Sequence, residues 1–197
     1  MTDVATFAGR IALIGDCSER DAHAVVECAG MALAPGFIDV HSHSDELWLV
    51  DGRALGKIAQ GVTTEIAGNC GSSAAPLYGE ARAAKLQDAR PYGLDVDWTT
   101  FDEFFGAVER GGTACNVASL VGLGTTRACV AGGAGRRLER AELEAQTRLV
   151  REAVEQGALG VSSGLIYEPS RYVDAAELAA RARAAREAGA ARYVSHV

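Results

Sequence analysis

Ala34-Pro35-Gly36-Phe37-Ile38-Asp39-Val40-His41-Ser42-His43-Ser44-Asp45 is the stretch on which the reading of this chain turns. Gly36 to Val40 is a short apolar run with little alternation, the pattern of a parallel strand buried on both faces. His41 and His43 close the run at i and i+2, a spacing that sends both side chains to one face of a strand. Both imidazoles can then reach one metal ion. Polar groups where an apolar strand ends match the mouth of a parallel barrel, where catalytic side chains sit at strand C-termini. His-x-His also arises by chance at the start of surface loops, so the pair alone leaves metal binding and a plain loop equally open.

Outward from this stretch the pattern divides. Upstream, short β segments punctuated by Gly and Asp are expected at Arg10–Asp16 and Ala24–Gly30. Downstream, apolar strands alternate with Ala-rich helical segments. Strands are expected at 36–41, 62–67, 115–121, 159–163 and 192–196, and helices at about 52–60, 101–110, 139–156 and 174–189. Such alternation implies a parallel sheet with right-handed crossovers. A complete (β/α)8 barrel takes about 250 residues. The expected fold is therefore α/β: residues 1–33 as part of a small β domain, and 34–197 as about the first five strands of a TIM-type barrel. The last expected strand, Tyr193-Val194-Ser195-His196-Val197, has no cap, which suggests the front part of a longer barrel or else a small open sheet.

Two residues join the histidine pair at the same level of such a barrel. Cys70 follows the second strand in Gly68-Asn69-Cys70-Gly71, and His196 ends the fifth. Thiolate sulfur and imidazole nitrogen are ligands that zinc favours. Each alone reads more simply as a structural residue. His41, His43, Cys70 and His196 together, in a chain with four histidines, form a candidate metal site.

These residues carry a resemblance. Residues Ala34 to Asp45 resemble the first-strand signature of the amidohydrolase superfamily. Gln60-Gly61-Val62-Thr63-Thr64 with Gly68-Asn69-Cys70-Gly71, Gly157 through Tyr167 with Arg171-Tyr172, and Arg192 through His196 are similar to the D-aminoacylase, or N-acyl-D-amino-acid deacylase, family. The resemblance implies an enzyme holding one or two Zn2+ and hydrolysing the amide of small N-acyl-D-amino acids; a cytoplasmic location is the default expected of a chain that reads without a signal peptide or membrane span. It assigns His41 and His43 to one metal, Cys70 to the bridging position and His196 to the tighter site. Tyr167, and Arg171 less directly, would hold the substrate carboxylate. The family's sixth-strand histidine and its acid/base aspartate would lie beyond Val197, so no catalytic acid/base is assigned. The polypeptide by itself is expected to be nearly inactive and to self-associate through open barrel edges. Leu123 stands where relatives would carry histidine, which weakens a role in the pocket for the segment expected there as a loop. Two alternatives are a dihydroorotase- or hydantoinase-like amidohydrolase and a non-catalytic remnant or interaction fragment. Gly68-Asn69-Cys70-Gly71 speaks against the first.

Bulk properties narrow the rest. The 197 residues are 48% hydrophobic and carry a net charge of −7, which disfavours nucleic acid or an anionic membrane surface as partner. No apolar run approaches the roughly 20 residues of a membrane span, and Met1-Thr2-Asp3-Val4-Ala5 does not read as a signal peptide. Five scattered cysteines form no Cys-x-x-Cys pair; most of them, Cys70 excepted, are expected to be small buried apolar residues. Glu65 reads as a buried, hydrogen-bonded acid, Gly132 to Gly135 as a flexible loop, and Arg136-Arg137 and Arg181-Arg183-Arg186 as solvated helix faces.

Overall fold

The computed structural model describes residues 2–18, 20–190 and 192–196. Met1 and Val197, the outer limits of the expected domains, lie outside them. The chain divides into two compact units, Met1–Pro35 and Gly36–Val197.

In the first unit, β1 (Asp3–Phe7) and β2 (Arg10–Gly15) pair antiparallel. Ala8 and Gly9 join them with φ of 47° and 73°, the two left-handed positions of a turn whose twist suits a hairpin. The strand expected at Ala24–Gly30 does not form. Val25 and Val26 are exposed there, and among the described residues no strand offers these backbone groups a ladder. Cys28 is exposed as well, so it is not the buried apolar residue expected.

The second unit is mixed α/β. Its elements are β3 (Phe37–Asp39), α1 (Leu47–Val50), α2 (Leu55–Ile58), β4 (Val62–Ala67), α3 (Gly79–Ala89), α4 (Phe101–Gly111), β5 (Asn116–Ser119), β6 (Val121–Gly122), α5 (Leu123–Ala131), α6 (Arg140–Glu155), β7 (Gly160–Ser163), α7 (Ala175–Glu187) and β8 (Arg192–Ser195). Short 3-10 turns lie at Arg90–Tyr92 and Ser170–Tyr172. Strands β3-β4-β5 and β6-β7-β8 form two parallel sheets whose spatial order follows the sequence. The single strand expected over 115–121 is broken at Leu120. Its first part pairs with β4 and its second with β7, while the Leu120 N–H still donates to the Ala67 carbonyl. The sheets are open among the described residues, with β3 and β8 at the outer edges.

Helix placement follows the apolar spacing where that spacing is strong. In α4, Phe101, Phe104, Ala107 and Val108 are buried, and Thr100 with Glu103 closes the N-terminus as a capping box. Phe104 packs against Trp98 and Trp48, with ring centroids 5.5 and 6.3 Å apart. Each such aromatic contributes about 1.5–3 kcal/mol through burial. In α6 the buried stripe is Gln146, Val150, Ala153 and Val154. The helix expected at 52–60 is instead the single turn α2, and a further single turn, α1, precedes that stretch. Helices α3 and α5 had no expected counterpart. Only Ala81 and Ala89 are buried in α3, which leaves little apolar periodicity to read, and α5 starts directly after β6 in a Gly- and Thr-rich run. Leu123 thus opens a helix, not a loop.

One arginine of the expected solvated faces departs from them, and one outside those groups is buried as well. Arg181 is buried, and its guanidinium donates to the Leu143 carbonyl and the Gln146 side chain. Arg127 is wholly buried on α5, 2.9 Å from Glu177 of α7. Arg136, Arg137, Arg183 and Arg186 are exposed as expected.

Candidate metal centre

β3 ends at Asp39, so His41 and His43 follow the strand rather than ending it. The Ser42 N–H nevertheless donates to the Ile66 carbonyl at 3.0 Å, a contact with β4 three residues beyond the end of β3. Ser42 is buried while His41 and His43 are exposed, so alternation survives the end of the strand. The two imidazoles meet edge to face, 5.4 Å between centroids.

Cys70 sits three residues beyond β4, in a turn with backbone φ of +56°. Few non-glycine residues hold the left-handed conformation without surrounding contacts to enforce it. Here the enforcing contacts come from three elements. The Asn69 side-chain amide donates to the carbonyls of Ser42 and Ile66, at 3.3 and 2.9 Å. The Gly68 N–H donates to Asp45 at 3.1 Å. From β7, the Ser162 hydroxyl accepts the Gly71 N–H at 3.0 Å and donates to the Gly68 carbonyl. Gly68 itself, at φ +72°, has no room for a side chain: a Cβ there would lie 1.9 Å from the Leu120 carbonyl oxygen.

The result is a cluster centred on sulfur. Cys70 Sγ is 3.2 Å from His41 Nε2 and 3.2 Å from His196 Nδ1. One ligand atom from each of His41, His43 and Cys70 lies within 4.8 Å of the others. His196 follows β8 and is tied to the sheet by its N–H donating to the Ser163 carbonyl at 2.9 Å. The Tyr167 hydroxyl lies 3.4 Å from His196 Nε2, with the rings 5.0 Å apart. The structure does not bring Arg171 into this cluster; its guanidinium is 3.2 Å from Glu168 and mostly exposed.

Electrostatics suit a ligand set held ready for a cation. Burial lowers the His43 pKa, and the neighbouring His41 and His196 lower it further, which favours the neutral imidazole that coordinates metals. Burial pushes the Cys70 thiol above its ordinary range, and a bound metal would reverse this by holding the thiolate. Two imidazoles and a thiol converging within ligand distance fit a zinc-type cation.

Behind the histidine pair lies an ion network that the sequence indicated only through Glu65. Glu65 is buried and accepts from Trp48 Nε1 at 2.7 Å, with Lys57 Nζ 3.0 Å away. Lys57 also donates to Asp39 and holds that carboxyl below the usual range; Asp39 in turn accepts the His41 N–H at 3.1 Å. Asp45, buried under the Cys70 turn, has its pKa pushed up to about 7, chiefly by burial and then by Glu46. Ser162, Asn69, Asp45 and Lys57 are the residues sequence reasoning missed. The first lies within Val161-Ser162-Ser163, where nothing distinguishes a hydroxyl that supports a turn 91 residues away.

Beside the cluster opens a cleft of about 540 Å³, bordered by His43, Cys70, Tyr167 and residues of α3 and α5. The turn at Gly132-Gly133 also borders it, held by the Gly133 N–H donating to Glu80 at 2.9 Å.

Comparison with known proteins shows the family. Residues 24–196 match the amidohydrolase family, and the chain belongs to that family. It is 36% identical over 195 residues to an N-acyl-D-aspartate deacylase, and 38% identical over 176 residues to a D-aminoacylase, both from Alcaligenes xylosoxydans xylosoxydans. These alignments take in 99% and 89% of this chain but 39% and 36% of the relatives. The crystal structure of a D-aminoacylase superposes with a TM-score of 0.87 at 34% identity, covering 100% of this chain and 41% of that one. The N-acyl-D-glutamate deacylase of Bordetella bronchiseptica, solved with zinc and a phosphonate mimic of the tetrahedral intermediate, superposes at 0.86 with 34% identity and the same coverage. The chain thus spans well under half the length of these relatives.

Proposed function

We propose that the whole protein is a zinc-dependent hydrolase of N-acyl-D-amino acids, releasing a carboxylate and a free D-amino acid. The observation that carries this reading is the Cys70 sulfur standing 3.2 Å from nitrogens of both His41 and His196. In this reading His41 and His43 hold one Zn2+, His196 belongs to a second position, and Cys70 is shared between them. Bound zinc supplies a Lewis acid that polarises an amide carbonyl and makes water acidic enough to attack near neutral pH. The Tyr167 hydroxyl, beside His196, orients the substrate carboxylate, and Arg171 adds positive charge further out. No residue of this chain is assigned as general acid/base.

Residues 34–197 are read as about the first five strands of a (β/α)8 barrel and residues 1–33 as part of a small β domain. Supporting the barrel are five parallel strand positions in sequence order and the gathering of His41, Cys70 and His196 beyond strand C-termini. Exposed Phe37, Ile38 and Val40 along the β3 edge support self-association of the isolated polypeptide, testable by size exclusion. The similarity to D-aminoacylases and N-acyl-D-amino-acid deacylases favours this activity over a dihydroorotase- or hydantoinase-like one.

The test is release of free amino acid from matched N-acetyl-D- and N-acetyl-L-amino acids by the zinc-loaded whole protein, with zinc content measured in parallel. The reading requires turnover of the D series and metal loss in Cys70→Ala. Equal turnover of the L series, or hydrolysis of a cyclic amide instead, overturns it.

A further inference from the structure

The cleft beside the metal centre has a chemistry that distinguishes the two ends of such a substrate. Its apolar lining is Leu77 ahead of α3 together with three small residues, Ala81 and Ala84 on α3 and Ala128 on α5. These leave space instead of filling it. Its charged lining is mainly acidic, with Glu80, Asp88 and Glu168 against Lys85. Lys85 is already neutralised, its Nζ 3.0 Å from both carboxylate oxygens of Glu46. Glu168 is likewise paired, 3.2 Å from the Arg171 guanidinium, so Glu80 and Asp88 carry the uncompensated charge of the lining. Among the described residues that line it, the cleft therefore presents apolar surface and net negative charge, with no unpaired cation.

We infer that this cleft is the acyl pocket, and that it selects an uncharged, apolar acyl chain longer than acetyl. The inference rests on the deacylase reading above. An N-acyl-D-amino acid carries its carboxylate on the amino-acid side of the scissile bond. With its carboxylate held at Tyr167, beside His196, that side stays at the metal-centre end; carried further into the cleft it would face Glu80 and Asp88, which Coulomb repulsion in a partly desolvated site opposes. The acyl group bears no charge. It is bonded directly to the carbonyl carbon, so it must begin at the metal centre, where His43 and Cys70 border the cleft. A volume of about 540 Å³ lies within the range of small-molecule pockets. The same acidic lining rejects dicarboxylic acyl groups such as succinyl.

The experiment titrates the zinc-loaded whole protein with the product carboxylates acetate, hexanoate and succinate, which cannot turn over, and reads affinity by calorimetry. Hexanoate is expected to bind about tenfold or more tightly than acetate, since each buried methylene adds affinity, and succinate no more tightly than acetate. Ala84→Phe, at an exposed position on the cleft wall, should bring the hexanoate-to-acetate ratio close to one. Asp88→Lys should raise succinate affinity about tenfold, a gain that a misfolded protein cannot mimic. Equal binding of acetate and hexanoate, or tightest binding of succinate by the unmodified protein, overturns the assignment. So does an Ala84→Phe effect that falls on N-acetyl-D-leucine relative to N-acetyl-D-alanine, because the cleft would then hold the amino-acid side chain. Deacylation without chain-length preference overturns the acyl assignment alone. Hexanoate preference with no release of D-alanine from N-hexanoyl-D-alanine overturns the deacylase reading, and the acyl assignment with it.

Discussion

The hydroxyl of Ser162 on β7 accepts the N–H of Gly71, 91 residues earlier in the chain, at 3.0 Å. Because the same hydroxyl donates to the Gly68 carbonyl, one buried serine holds both ends of the turn that presents Cys70. Ser162→Ala would leave a buried donor and a buried acceptor unpaired, each costing about 1–3 kcal/mol. The expected outcome is a lower urea midpoint together with zinc affinity reduced roughly 10- to 100-fold, the range found when groups supporting a metal ligand are removed. Chelator competition measures the second effect, and unchanged zinc affinity would show that Cys70 does not depend on Ser162.

Cobalt(II) should bind the site and show thiolate-to-metal charge transfer, because Cys70 is the one sulfur close to His41 and His196 among the described residues. Cys70→Ser should abolish that absorption, while Cys115→Ser, at a site away from the histidines, should leave it intact. Persistence of the band in Cys70→Ser would remove the sulfur from the proposed ligand set.

Glu177→Ala should be among the most destabilising single changes. It strips Arg127, whose side chain is 0% exposed, of its 2.9 Å partner. Removing one member of a buried pair costs about 3–5 kcal/mol, more than the pair contributes relative to apolar substitutes. A combined Arg127→Met, Glu177→Leu protein should therefore recover much of the loss. Denaturant unfolding of the three variants decides this, and a double variant weaker than the single one would contradict it.

Acid stability should depend on Glu142 at the start of α6. Arg136 and the Glu139 N–H hold its pKa down to about 2, against an ordinary 4.5. The folded state therefore takes up its proton later than the unfolded chain. The group's contribution is complete above about 4.5 and is lost as pH falls from there to about 2. Glu142→Gln should flatten the pH dependence of the unfolding midpoint in that window and leave the slope above it unchanged. An unaltered acid slope would show that the pair contributes nothing.

The legible parts of this protein are those in which a few neighbouring residues carry the physical signal. His41-Ser42-His43 and Gly68-Asn69-Cys70-Gly71 could be located as strand-end clusters because an apolar strand followed abruptly by ligand-type side chains is a local pattern. Helices α4 and α6 were legible because their apolar faces repeat at helical spacing. Helices α3 and α5 were not, since their burial is slight or continuous with a strand. Arg181 looked like a surface charge because its partner, the Leu143 carbonyl, comes from another helix, as does Glu177, the partner of Arg127.

By itself the sequence determined the α/β alternation, the amidohydrolase signature and the residue types available at the strand ends. Periodicity and ligand chemistry are properties of a short stretch of chain. Only the tertiary structure decided that one sulfur stands 3.2 Å from two histidines brought from positions 41 and 196, that Ser162 secures its turn, and that a small-residue, acidic cleft opens beside it. Those relations depend on the pairing of parallel strands and the packing of helices across them, and residues that far apart meet only once the whole sheet has formed.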